Sequence, residues 1–227
     1  MLYAYSVLWC AGTETVAFGP IVTFRAGIAD DSPRNDRIEL VPQDDGAVKH
    51  LLGMEVPRIA LQATDGTTVD LCGPGLSVVY AYPRTSPPGG NALDGWDAIF
   101  GARGCTTQSC AFCDHFAELK ALGASDLFGL STQTTEYQRE AAERLHLPFP
   151  LLSDHSLRLA SAFGLPMFQA SGLTLLRRLT MIIQAGVIRH VFYPVHPPEK
   201  NANAVVSWLK TNVVVEKGPM TGLGGFC

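Results

Sequence analysis

Runs of hydrophobic residues along the chain predict its strands. The longest run, "LSVVYAYP" over residues 76–83, is rich in β-branched and aromatic residues and ends at a proline, which is typical of a buried central strand. Shorter β-type segments are "RIALQAT" and "TVDLC" on either side of a turn, and "DLFGLST" further along. The segment "LTMIIQAGVIRHVFYP" predicts a β-hairpin that turns at residues 184–186.

Apolar residues at helical spacing predict four helices between and after these strands. The first covers residues 105–121, where Phe112, Phe116 and Leu119 recur at helical spacing and Gly123 follows. The others are "TEYQREAAERLHL", "LRLASAFGL" and "EKNANAVVSWLKT". Because strands and helices alternate, we predict an α/β domain with a mixed central β-sheet flanked by helices.

The two ends of the chain and one internal loop depart from this pattern. Residues 1–45 show no sustained period and become rich in Asp, Asn and Pro, so we predict an N-terminal extension that is poorly ordered. We place the folded domain at residues 46–213 and a glycine-rich tail at residues 214–227. A long loop rich in glycine and proline covers residues 84–104.

Composition and charge narrow the classes of function. The 227-residue chain has a net charge of −4, with 47% hydrophobic and 17% charged residues, which gives no basic surface for nucleic acid. No apolar run reaches the ~20 residues of a membrane helix, and no basic residue precedes Arg25, so we expect neither a membrane span nor a secretory signal. Six cysteines are too few for a disulfide scaffold, and we expect a cytoplasmic protein.

Three of the six cysteines, Cys105, Cys110 and Cys113, lie within nine residues of the first predicted helix. A zinc site would need these thiols and His115, but four ligands on one helix cannot converge tetrahedrally without breaking it, so we predict no metal. A static disulfide between Cys105 and Cys110 fails in an intact helix, because their Cα atoms would be roughly 8–9 Å apart and a bridge needs less than ~7 Å. Reactive thiols explain the cluster better.

Cys105 has the most reactive position of the three. It follows Gly104 at the first turn of the helix, where unpaired backbone N–H groups and the helix dipole favour an anion, and Arg103 adjoins it. The thiolate is the nucleophilic form of cysteine, and helix N-termini and nearby cations lower the pKa of thiols in general. Cys105 is therefore the best candidate for an ionised, attacking sulfur.

Five segments in sequence order resemble the peroxiredoxins of the Q type, also called bacterioferritin comigratory proteins. They are "YAYP", "GCTTQSC", "DHFAEL", "PFPLLSD" and "RRLTMIIQAGVIRHVF", and the resemblance covers roughly residues 50–212. It implies a thioredoxin-like fold and a thiol peroxidase that reduces hydrogen peroxide or organic hydroperoxides. It also implies recycling by a thioredoxin-type reductant, without a metal or an organic cofactor.

The resemblance assigns roles to three residues. Cys105 is implied to be the peroxidatic cysteine, Cys110 the resolving cysteine that forms a disulfide with it, and Arg178 the arginine that holds thiolate and peroxide. A fixed cation at Arg178 would also stabilise the charge that develops on oxygen. The competing interpretation of Arg178 is a surface arginine beside Arg177.

One position of the family pattern is missing from this chain. The residue three before Cys105 is Ala102, which lacks the hydroxyl that helps to orient peroxide. Thr85 and Ser86, at the end of the predicted central strand, are the candidates that could supply this hydroxyl instead.

The loop over residues 84–104 and the third cysteine leave alternatives open. Trp96, Ile99 and Phe100 could form a lid, an interaction patch or part of the domain core. Cys113 is either an extra redox thiol that exchanges disulfides with Cys110 or a small buried apolar residue.

Two rival functions compete with the peroxidase. The missing hydroxyl and the insertion also suit a redox sensor or binding module with little turnover, which stoichiometric oxidation without turnover would reveal. A thioredoxin-like oxidoreductase would use Cys110 and Cys113 as a C-x-x-C pair. Such a pair belongs at a helix start, and here it lies about a turn and a half inside the predicted helix.

Overall fold

The computed structural model describes residues 43–87, 89–90 and 93–212. The predicted N-terminal extension, apart from its last residues 43–45, and the predicted glycine-rich tail lie outside the described residues. The predicted domain boundaries therefore stay predictions.

Nine β-strands and five α-helices are present in the described part of the chain. The strands are β1 (Leu61–Ala63), β2 (Thr68–Val69), β3 (Leu76–Ala81), β4 (Ala124–Ser131), β5 (Leu151–Ser153), β6 (Met167–Ala170), β7 (Leu173–Leu176), β8 (Leu179–Gln184) and β9 (Val187–Phe192). The helices are α1 (Cys105–Asp114), α2 (Phe116–Ala121), α3 (Thr135–Arg144), α4 (Arg158–Phe163) and α5 (Asn201–Asn212).

Seven of these strands form one mixed sheet in the order β2-β1-β5-β4-β3-β8-β9, while β6 and β7 pair separately. The pairs β3–β4 and β4–β5 are parallel, and the other pairs in the sheet are antiparallel. Strand β3 is buried over its whole length, as its continuous apolar run predicts. Strands β8 and β9 form the predicted hairpin, with Ala185 and Gly186 in the left-handed conformation at its turn. The predicted mixed sheet is confirmed.

Helices cover both faces of the sheet. Successive residues of β3 point to opposite faces, so alternate side chains pack into two different apolar clusters. Val78 and Tyr80 pack with α1, α2 and α5 in one apolar cluster. Val79 and Ala81 pack on the other face, in a second cluster that includes residues of α4. The helix that carries the clustered cysteines therefore lies on one face of the sheet, and its first residue lies beyond the carboxyl end of β3.

The helix predicted over residues 105–121 is two helices in the structure. Helix α1 ends at Asp114, His115 takes φ −95° and ψ 4°, and α2 begins at Phe116. Phe112 and Leu119 nevertheless pack into the same apolar cluster. Because the apolar spacing continues across the break, periodicity alone cannot reveal it.

Candidate active site

Helix α1 begins at Cys105 because the residue before it can take a conformation that only glycine adopts easily. Gly104 caps the helix at φ +92°, in the left-handed region. A side chain at this position would also overlap the ring of Pro198, which precedes α5. Cys105 itself is 4% exposed and packs in the apolar cluster that contains Tyr80, so its sulfur is largely shielded from bulk water.

Arg178, between β7 and β8, brings a guanidinium to this sulfur. It is 4% exposed, and its Nη2 lies 3.4 Å from the Cys105 Sγ. The same nitrogen donates to the carbonyl oxygens of Arg103 at 2.8 Å and Gly101 at 3.3 Å. None of the hydrogen-bond partners that Arg178 has in the described chain is a carboxylate. Its charge therefore remains available to a thiolate, and the interpretation of Arg178 as a surface arginine is wrong.

A line of buried polar side chains holds the other side of this guanidinium. Arg178 Nη1 donates to Gln108 Oε1, and Gln108 Nε2 donates to Asn201 Oδ1 at 2.9 Å. The hydroxyl of Thr180 donates to the same Asn201 oxygen at 2.6 Å. Because Asn201 Oδ1 accepts two hydrogen bonds, it fixes the Gln108 amide with its oxygen toward Arg178.

Sequence reasoning did not find these three supporting residues. Gln108 had an available signal, because it lies three positions after Cys105 and therefore on the same side of the helix. Asn201 and Thr180 had no local signal, since only the tertiary fold brings α5 and β8 to the start of α1.

The insertion before Cys105 shapes the site with its backbone. The thiol of Cys105 donates to the Ala102 carbonyl oxygen at 3.5 Å, and the carbonyls of Gly101 and Arg103 accept from Arg178. The side chain of Arg103 is exposed and pairs with Asp97. Arg103 was expected as a cation beside Cys105, but in the structure its carbonyl faces the site and Asp97 offsets its charge.

The two hydroxyls expected to replace the one missing at Ala102 lie elsewhere. Thr85 is buried, and its backbone N–H and hydroxyl donate to Gln133 Oε1 at 2.9 Å and 3.2 Å. Ser86 is exposed, and its carbonyl accepts from Arg144 at 3.3 Å. Neither hydroxyl contacts Cys105 or Arg178 among the hydrogen bonds of the described chain, so their role with peroxide stays a prediction.

The aromatic residues of the insertion pack around the site. The ring of Trp96 lies 6.4 Å from that of Phe168, and the ring of Phe100 lies 5.7 Å from that of His196. A pocket of about 190 Å³ opens beside Arg178, and its wall includes Phe100, Phe168 and Tyr193. The insertion therefore forms part of the rim of this pocket.

Cys110 and Cys113 lie further along α1, and both are half-buried free thiols. Burial, followed by the nearby Asp114 carboxylate and Cys110, raises the pKa of Cys113 above its ordinary value. Cys113 is therefore mainly a protonated thiol at neutral pH. Within the described residues, no group of three or more His, Cys, Asp or Glu side chains is placed to hold a metal ion.

Strand β3 anchors the middle of α1 through one aromatic residue. Tyr80 is fully buried, donates from its hydroxyl to Ser109 Oγ at 3.0 Å and stacks on Phe112 with ring centroids 4.5 Å apart. Burial raises the pKa of Tyr80 far above its ordinary range, so it remains a neutral donor.

Comparisons with known proteins place these features in a family context. The chain matches the Redoxin family model over residues 51–206. Among curated proteins, Peroxiredoxin Bcp of Escherichia coli strain K12 is 32% identical over 160 residues, which cover 68% of this chain and 92% of that protein. The chloroplastic Peroxiredoxin Q of Oryza sativa subsp. japonica is 29% identical over 163 residues, covering 70% of this chain and 66% of that protein.

Solved structures show the same fold. The peroxidoxin BcpB from Mycobacterium tuberculosis has a TM-score of 0.58 and 24% identity, covering 72% of this chain and 98% of that chain. Peroxiredoxin Q of Xanthomonas campestris has a TM-score of 0.57 and 22% identity, covering 70% and 96%. The predicted thioredoxin-like α/β fold is confirmed. No helix in the described part of the chain is long and apolar enough to cross a membrane.

Proposed function

Because the chain belongs to the peroxiredoxins of the Bcp and Q type and is a thiol peroxidase, we propose that Cys105 is the cysteine that attacks peroxide. The observation that carries this assignment is the guanidinium of Arg178, 3.4 Å from the Cys105 Sγ at the first turn of α1. A cation and the positive end of a helix dipole both favour the thiolate over the thiol.

In the first step the Cys105 thiolate attacks the terminal oxygen of the hydroperoxide. The S–O bond forms while the O–O bond breaks, and the leaving oxygen takes a proton and departs as water or an alcohol. Cys105 becomes a sulfenic acid. Arg178 donates toward the reacting atoms, which stabilises the negative charge that passes from sulfur to the leaving oxygen.

In the second step Cys110 resolves the sulfenic acid. Its thiolate attacks the oxidised sulfur, the S–S bond forms, and the hydroxyl leaves as water after it gains a proton. Cys105 and Cys110 lie five residues apart on one intact helix, so this step requires the first part of α1 to unwind.

In the third step a dithiol reductant of the thioredoxin type returns the enzyme to its starting state. One thiolate of the reductant attacks the Cys105–Cys110 disulfide, and its second thiol completes the exchange, so two electrons restore both cysteines. Hydrogen peroxide and organic hydroperoxides are the proposed substrates. We also propose a cytoplasmic location for the chain.

Peptide mapping by mass spectrometry tests the pairing. After one equivalent of hydrogen peroxide, the reduced protein should contain an intramolecular disulfide between Cys105 and Cys110. In the Cys110→Ser variant, a sulfenic acid should instead accumulate on Cys105, where dimedone can trap it. A disulfide between Cys105 and Cys113 in the unaltered protein would overturn the assignment of Cys110.

A further inference from the structure

A second pocket, of about 400 Å³, lies beyond the carboxyl end of β4. Its walls come from the loop Thr132–Thr134, the start of α3 and the β6–β7 hairpin. It shares none of its described lining residues with the pocket beside Arg178. In open α/β sheets, crevices at the carboxyl ends of strands are the usual places where ligands bind, and this volume is in the range of small-molecule sites.

Most polar side chains in the wall are already hydrogen-bonded within the protein. The hydroxyl of Thr132 donates to the Thr174 carbonyl at 2.8 Å, and the side-chain amide of Gln133 bonds to Thr85. The hydroxyl of Thr134 accepts from the backbone N–H of Tyr137 at 3.4 Å. These groups have little left to offer a ligand, and the rest of the wall includes the side chains of three leucines, Leu157, Leu173 and Leu175.

Arg84 is the exception in this wall. Its Nη2 donates to the Tyr137 hydroxyl at 3.0 Å, and its guanidinium carbon lies 5.3 Å from the centroid of the Tyr137 ring. Its Nε is buried and has no hydrogen-bond partner in the described chain. A guanidinium has five N–H donors, and Arg84 uses one nitrogen for Tyr137, so the group keeps donor capacity and charge for an anion in the pocket.

A neighbouring carboxylate, that of Glu136, lies outside the wall, where it interacts with Thr134 and His155. No carboxylate is among the described residues that line the pocket, and His155 is its other titratable side chain besides Arg84 and Tyr137. The Nδ1 of His155 lies 3.3 Å from the Thr132 carbonyl oxygen, so it is engaged within the protein. The pocket therefore contains one fixed cation, the guanidinium of Arg84, and the rest of its wall is mainly apolar.

We propose that this pocket binds an aliphatic monocarboxylate of medium chain length. The carboxylate pairs with the guanidinium of Arg84, and the alkyl chain packs against Leu157, Leu173 and Leu175. Apolar surface with a single charge-bearing polar group selects a ligand of this kind over a sugar or a nucleotide, which would need several polar partners.

Isothermal titration calorimetry with decanoate and the reduced protein tests this proposal without any peroxide. We expect saturable binding at one site, and binding of decanol that is weaker by about tenfold or more, because an alcohol lacks the charge that Arg84 recognises. The Arg84→Gln variant should lose about tenfold or more in affinity for decanoate, which is the effect of one lost hydrogen bond to a charged group. The matched control is Arg189→Gln, at an exposed position on β9, which should bind as the unaltered protein does.

A second variant keeps the test independent of the folding of Arg84→Gln. Leu173 is 42% exposed at the wall of the pocket, so Leu173→Glu should fold and should repel the carboxylate. Absence of decanoate binding to the unaltered protein would overturn the proposal. So would equal affinity for decanol, or an affinity for decanoate that neither Arg84→Gln nor Leu173→Glu lowers. Loss of peroxidase activity in a Cys105 variant has no bearing on these outcomes.

Discussion

Helix α1 carries Cys105 at its first residue and Cys113 near its last, and the two thiols have opposite surroundings. Cys105 lies at the positive end of the helix dipole, beside the guanidinium of Arg178. Cys113 lies at the negative end beside the Asp114 carboxylate, and burial raises its pKa. In the proposed mechanism, the direction of the helix and the nearest charge, rather than membership of a cysteine cluster, distinguish the attacking thiol from the others.

The two ends of α1 are also held by different kinds of contact. Gln108 and Ser109, in the first part, are held by hydrogen bonds to Arg178, Asn201 and Tyr80. Phe112, further on, is fully buried and stacks on the Tyr80 ring. Water can take the place of the lost hydrogen-bond partners, whereas an exposed phenylalanine side chain has no such replacement and costs about 1.5–3 kcal/mol. The first part should therefore unwind while the second part stays packed.

The largest expected effect comes from exchanging the nucleophile. Cys105→Ser should reduce the rate of peroxide consumption to less than about a tenth, because a serine hydroxyl is a far weaker nucleophile at neutral pH. Consumption by the reduced protein is measured with a thioredoxin system as the reductant. Cys113→Ser is the matched control and should keep most of the activity. If Cys113→Ser lost the activity and Cys105→Ser kept it, Cys113 rather than Cys105 would be the attacking cysteine.

The next effect concerns the cation that distinguishes the two ends. Arg178→Met should slow the reaction of Cys105 with peroxide by about 10²–10³, the usual cost of removing an electrostatic donor from an active site. Rapid-mixing fluorescence or competition kinetics would measure this rate. Arg177→Met is the control, because Arg177 is exposed and its guanidinium lies over Phe168. Equal rates for the two variants would show that Arg178 does not assist the attack.

A smaller effect should follow from loosening the support of Arg178. In Asn201→Ala the Gln108 amide loses the acceptor that orients it, and we expect the peroxide rate to fall by about tenfold, equivalent to one hydrogen bond of about 1.4 kcal/mol.

The control for Asn201 is Val205→Ala, a buried apolar position on the same helix. It should lower the free energy of unfolding without a comparable loss of rate below the melting temperature. If both variants lose rate in proportion to their stability, Asn201 has only a structural role.

The smallest expected effect is on the rate at which iodoacetamide labels Cys113. Because the pKa of Cys113 is raised, mainly by burial, its thiol should be almost fully protonated at neutral pH and should react slowly with iodoacetamide. Below that pKa, the labelling rate should rise about tenfold for each pH unit, as the thiolate fraction does. Peptide mass spectrometry on the Cys105→Ser variant measures it. If the labelling rate of Cys113 did not depend on pH, the proposed difference in protonation between the thiols at the two ends of α1 would be wrong.

The sequence predicts six of the nine strands in the described chain and misses three. Strand β3 and the β8–β9 hairpin have long β-type patterns, and both were predicted. The short strands β1 and β2 were predicted as well, because they flank a clear turn, whereas β5, β6 and β7, with three or four residues each, were not predicted. The break at His115 was also missed, because the apolar spacing continues across it.

Some residues of the site could be predicted from the local sequence, and others only from the tertiary fold. Cys105 was selected as a candidate from its position at a helix start, and Arg178 from a resemblance that spans several segments. Asn201 was missed because its contact with Gln108 joins residues 93 positions apart, which no local pattern records. The side-chain direction of Arg103 depends on Asp97, and sequence adjacency to Cys105 suggested the wrong orientation.

Hydrogen exchange on the reduced and the disulfide forms tests the central comparison most directly. Amides 108–112 should lose protection when the disulfide forms, because their acceptors lie in the first part of α1, and Cys105 and Cys110 can meet only if that part unwinds. Amides 116–120, in α2, should keep their protection in both forms, because Phe116 and Leu119 pack in the apolar cluster that holds the second part. Equal protection of amides 108–112 in the two forms would contradict this account and would point to Cys113 or an intermolecular partner as the resolving thiol.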